Sequence, residues 1–164
     1  MMIVRRELFK LLSVLALVAA LCACERGSKE HLKEAREALA ATSFEEAVAS
    51  AKIGLAGSPD EVTQWGLELV VLEAHARAGK GAEAKGQLAL LATAYPNRIT
   101  AIDYSGTAQF LQAADQKPAA IEVLDLGVKR FPEDAVLKKM IEDSVATGSD
   151  PAELEMLRSL GYIE

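Results

Sequence analysis

The sequence predicts an all-α protein made of stacked helix pairs, and three observations predict it. The chain is 51% hydrophobic but only 5% aromatic, so its apolar content is mostly Ala, Leu and Val, which suit closely packed helices. The strict alternation of a half-buried strand is absent. Finally, one kind of boundary recurs: Ala56-Gly57-Ser58-Pro59, Thr93-Ala94-Tyr95-Pro96 and Lys129-Arg130-Phe131-Pro132, with prolines 37 and then 36 residues apart. An alanine stands twelve residues before each proline, at Ala47, Ala84 and Ala120.

The first 23 residues read as an export signal rather than as part of the fold. Arg5, Arg6 and Lys10 make a basic start, and residues 11–21 (LLSVLALVAAL) form a charge-free apolar run. That run is about half the roughly 20 residues a permanent transmembrane helix needs. Glu25 to Ser28 then form a tether of at most about 14 Å.

The helices follow in order. Residues 29–41 form the first. Ser43-Phe44-Glu45-Glu46 has the form of a capping box, in which Ser43 caps the second helix and Glu46 reaches back to it. Ser58-Pro59-Asp60-Glu61 opens the third, with Pro59 at its first position; Gly79 ends it with a left-handed cap. Helices at 82–94, 98–114, 118–130 and 134–146 follow. Asp150-Pro151-Ala152-Glu153 caps a last short helix ending near Gly161. Its Leu154, Met156, Leu157, Leu160 and Ile163 make a lid over the last pair or, alternatively, a segment that docks into a partner's groove. Trp65 is expected to pack against the first pair.

Leu21-Cys22-Ala23-Cys24 resembles the lipobox of bacterial lipoproteins: Leu three before the cysteine, a small residue just before it, then Cys. The resemblance implies cleavage after Ala23, a thioether-linked diacylglycerol on Cys24 and acylation of the new amino terminus. Cys22 departs from the small residue usual at its place. The mature chain would keep 141 residues, carry net charge −8 and hold no free thiol. So acidic a domain gains nothing from anionic headgroups, leaving the lipid to hold it. Glu25, where an aspartate would mark inner-membrane retention in enteric bacteria, points to the periplasmic face of the outer membrane.

The repeated alanines and prolines resemble the tetratricopeptide repeat, a helix-turn-helix unit of about 34 residues. The resemblance implies a right-handed α-solenoid of three such pairs over residues 29–132, with capping helices over 133–164. Ala47, Ala84 and Ala120 would let the second helix of each pair approach the first. Pro59, Pro96 and Pro132 would stop one helix and start the next. Where the family has Leu-Gly, this chain has Glu34-Ala35, Val71-Leu72 and Gly106-Thr107, and its period is longer, which places extra turns after Pro59 and Pro96.

In that family the first helix of each pair lines a concave groove for a peptide or helix. Carried over, this points to Leu32, Arg36 and Leu39, then Leu69, Glu73 and Arg77, then Ser105, Gln109 and Gln112 as partner-binding positions. The implied function is a membrane-anchored adaptor or scaffold for an envelope complex, or a pilotin-like assembly factor for a secretion or pilus system. A cell-wall-acting enzyme and a small-molecule-binding lipoprotein are the competing classes; the latter is usually a larger α/β protein.

Nothing in the sequence carries catalysis. His31, read as solvated, and His75, read as partly packed, lack metal-ligand spacing. Nucleophile elbow and phosphate loop are missing. Glu45-Glu46 and Glu133-Asp134 read as helix-start residues. No cofactor beyond the lipid is expected, nor a small-molecule substrate. The net charge of −6 disfavours nucleic acid.

Overall fold

A computed structural model describes residues 27–148 and 150–164. The export segment and Cys24, with everything expected of them, lie outside the described residues. Eight helices are described: α1 (Ser28–Ala40), α2 (Phe44–Ala56), α3 (Glu61–Arg77), α4 (Gly81–Ala94), α5 (Ala101–Ala113), α6 (Lys117–Arg130), α7 (Ala135–Thr147) and α8 (Pro151–Ser159). No helix among them is long and apolar enough to cross a membrane.

Short connections make consecutive helices antiparallel, and side chains confirm it. Lys29 at the start of α1 pairs with Asp60 ahead of α3 at 3.3 Å, and Arg98 ahead of α5 pairs with Glu61 at 3.2 Å. Lys80, in the turn before α4, pairs with Glu45 of α2 at 2.6 Å. The odd-numbered helices α1, α3, α5 and α7 therefore stack side by side, with α4, α6 and α8 in a second layer behind them.

The turns inside the three pairs share one backbone solution. Thr42, Gly79 and Asp115 all have left-handed φ, of 61°, 70° and 59°. The next residue donates its N–H five residues back: Ser43 to Ala38, Lys80 to His75, Gln116 to Leu111, at 2.8 to 2.9 Å. This is the bond pattern of a left-handed helix end, as expected at Gly79. It also corrects the expectation for Ser43. Its N–H is already given to Ala38, so Glu46 has nothing to reach back to, and the Ser43 side chain makes no cap bond.

The side-chain caps sit instead at the starts of α3, α7 and α8. Asp60 accepts from Thr63 N–H at 2.9 Å, and Asp134 accepts from Val136 and Leu137 N–H. Asp150 caps α8 with Pro151 at its first position, as expected. The repeat prolines stop helices but do not start them. Pro59 lies just outside the Asp60 cap, while Pro96 and Pro132 sit in turns. Similarly, α5 starts at Ala101, not at 98. Arg98 and Ile99 N–H both donate to the Tyr95 carbonyl, Ile99 is buried, and Asp103 accepts from Thr100 N–H at 2.7 Å.

Ala47, Ala84 and Ala120 are fully buried, which is what close helix approach requires. Helix α3 is apolar on nearly every side because it is central. Its Leu67, Val70, Val71 and Ala74 join the α1–α2 core, while its Leu72 and Ala76 join the core of α4 to α7. Trp65 departs from expectation by packing away from the first pair, edge-on to Tyr95 at 5.3 Å. Tyr104 meets Phe131 in the same way one pair later, at 5.8 Å. His31 is buried rather than solvated, because Gly54 lets α2 come against it. Helix α7 packs on α5 and α6, and α8 packs on α6, so both cover the last pair.

Candidate functional site

The stacking of α3 on α5 leaves a groove between them. Leu69, Leu72 and Glu73 form one wall; Ile102, Asp103, Gly106, Thr107 and Phe110 form the other, around a cavity of about 240 Å³. Ile102 is 78% and Phe110 36% exposed. Between them on the same helical stripe, four residues from each, lies Gly106. A Cβ placed there would meet nothing within 4 Å. The wall is thus two apolar ridges with a notch between, and Thr107, which donates to the Asp103 carbonyl at 2.6 Å, is buried beneath.

Arg77 closes one end. Its guanidinium lies 5.3 Å from the Phe44 ring centre and 5.9 Å from that of Phe110. It also donates to the Leu39 carbonyl and to Glu73 at 3.3 and 3.2 Å. One side chain therefore ties all three pairs together and fixes the Phe110 wall.

The structure distributes the nine expected partner-binding residues unevenly. Leu69 and Glu73 line the groove, and Arg77 ends it. Leu32 and Arg36 lie against α3 where Gly66 leaves room. Leu39 and Ser105 are buried and so cannot line a surface. Gln109 and Gln112 are exposed, but neither lines this groove. The groove residues that were missed, Gly106 and Phe110, lie 37 residues after Leu69 and Glu73. That is the spacing of Pro59 and Pro96, whereas Ser105 and Gln109 rest on a spacing of 36. One residue is about 100° on a helix, enough to turn the face away.

A second cavity, of about 320 Å³, lies among α5, α6, α7 and α8 and is lined by Gln112, Lys117, Met140, Asp143, Ser144, Thr147 and Glu153. The Ser144 and Thr147 hydroxyls donate to the backbone four residues back, and the buried Glu153 faces Lys117 at 3.5 Å through an oxygen that accepts no hydrogen bond. His75 lies elsewhere, its pKa held below the ordinary value chiefly by burial. Among the described residues no group of three His, Cys, Asp or Glu side chains is placed to hold a metal ion.

No family model, no curated protein and no solved structure matches the chain.

Proposed function

We propose that the chain is an exported lipoprotein, anchored through Cys24 in the cell envelope on the periplasmic face of the outer membrane, that docks a protein partner in the α3–α5 groove as an adaptor or scaffold. On this reading it is not an enzyme and needs no cofactor beyond its lipid. The observation that carries the reading is the Gly106 notch between exposed Ile102 and Phe110. Exposed apolar ridges around an unfilled hole suit an apolar anchor residue from a partner chain. The resemblance to tetratricopeptide repeats supports the same reading, as does the lipobox form of Leu21 to Cys24. A pilotin-like role in assembling a secretion or pilus system is the specific form that a lipid anchor favours.

Photo-crosslinking in living cells tests it. A benzophenone amino acid replacing Phe110 is expected to give one dominant protein adduct, with Lys139 on the outer surface of α7 as the control position. Equal, diffuse labelling from both positions would remove the groove from consideration.

A further inference from the structure

Seven large hydrophobic side chains stand strongly exposed among the described residues, and six of them share one edge of the stack. Val62, Ile102 and Val136 are each the second residue of an odd-numbered helix, α3, α5 and α7, and are 71, 78 and 57% exposed. Ile53, Leu90 and Leu126 are each the tenth residue of α2, α4 and α6, and are 55, 48 and 39% exposed. Because consecutive helices are antiparallel, the starts of the odd-numbered helices and the ends of α2, α4 and α6 lie at the same edge. Three or four residues separate the second row from its helix ends, about 5–6 Å at the helical rise.

The chain that precedes the fold leaves from this edge, since Gly27 caps the start of α1. Charge is divided along the same line. Cutting each of the first seven helices at its midpoint, the half at this edge (27–33, 51–68, 88–106, 124–140) carries eight Lys and Arg against eight Asp and Glu. The opposite half (34–50, 69–87, 107–123, 141–147) carries five against ten. The acidity that makes the domain as a whole a poor match for anionic lipid is thus concentrated on the far edge.

We infer that this edge rests on the phospholipid surface, with both aliphatic rows at headgroup level. Amphipathic surfaces bury apolar side chains in this interface, and because the second row is set back about 5–6 Å from the helix ends, the turns carrying Asp60, Arg98 and Asp134 enter the headgroups with it. A neutral edge approaches anionic headgroups without the repulsion that turns the acidic edge outward. The groove, which opens between α3 and α5, then faces sideways along the membrane. The inference rests on the lipid-anchored reading above, because a short tether from Cys24 is what brings this edge to the bilayer.

The test uses the full chain purified from membranes and placed in vesicles of phosphatidylethanolamine and phosphatidylglycerol. A nitrobenzoxadiazole fluorophore is attached at Leu90→Cys or at Glu83→Cys, near opposite ends of α4, and quenched by nitroxide-labelled lipid. A second pair, Val62→Cys and Asp115→Cys, repeats the comparison outside α4. Strong quenching at 90 and 62 with little at 83 and 115 is expected. Equal quenching at both edges, stronger quenching at 83 and 115, or none anywhere would overturn the inference. Intact mass reports separately whether Cys24 carries lipid. An unlipidated chain in which a histidine tag replaces residues 1–24, held to vesicles by nickel-chelating lipid, gives the same comparison, so failure of the anchor and failure of the edge are told apart.

Discussion

The three turns inside the pairs offer a test in which one backbone conformation gives opposite signs. Thr42, Gly79 and Asp115 hold nearly the same left-handed φ, which costs a side-chain-bearing residue about 1–2 kcal/mol. Glycine escapes that cost but loses about 0.4–1 kcal/mol through its freedom in the unfolded chain. For Gly79→Ala the added Cβ would come no closer than 3.4 Å, to Gln116 Cγ, so no steric term enters and the net loss is about 1 kcal/mol. Thr42→Gly runs the other way. Threonine is β-branched and poorly suited to positive φ, and its Oγ1 bond to Ala41 is on the surface. A gain of about 0.5–1 kcal/mol follows. Asp115→Gly is expected to gain less, because aspartate tolerates this region. Urea unfolding at a common m-value measures all three. Stabilisation by Gly79→Ala, or destabilisation by Thr42→Gly, would refute the shared-turn reasoning.

Other expectations follow from single contacts. At Gly81 a Cβ would lie 2.6 Å from the Cβ of Ala119, so Gly81→Ala is expected to cost about 1–3 kcal/mol by thermal unfolding, against a gain at an open helical site. Asp134→Ala removes the bonds accepted from Val136 and Leu137 N–H and is expected to cost about 1 kcal/mol by the same measurement. The Tyr162 hydroxyl donates to Asp125 at 3.1 Å, and its pKa is pushed up to about 12, chiefly by burial. A raised folded pKa gives stability that is complete below the unfolded value near 10 and lost as pH rises through the folded one. Alkaline unfolding should therefore weaken the protein between about pH 10 and 12, a dependence that Tyr162→Phe is expected to flatten.

The sequence made the pairs legible because it spells out their boundaries. Pro59, Pro96 and Pro132 cannot continue a helix, Gly79 marks a left-handed end, and Ala47, Ala84 and Ala120 lie where helices touch. Less legible were features that depend on competition between neighbours. Ser43 has the letters of a capping box, but its N–H is consumed by the turn before it. Thr42 and Asp115 do the work of glycine without being glycine. The groove was half-read. Leu69 and Glu73 were found from the repeat, while Gly106 and Phe110 were lost to a register one residue short, although the proline spacing already held the right value. The edge rows were hidden for a different reason. Ile53, Leu90 and Leu126 are 37 and 36 residues apart, yet only the solvent exposure of each separates them from core leucines such as Leu88 and Leu91.

The docking of a partner at Gly106 is tested most directly by filling the notch. Gly106 is helical with open space before it, so Gly106→Leu should leave the fold intact and even raise its stability by about 0.8 kcal/mol through helix propensity. Capture of the partner crosslinked from position 110 is expected to vanish in this variant while thermal stability holds or rises. A Gly106→Leu protein that retains the same partner at the same yield would contradict the account.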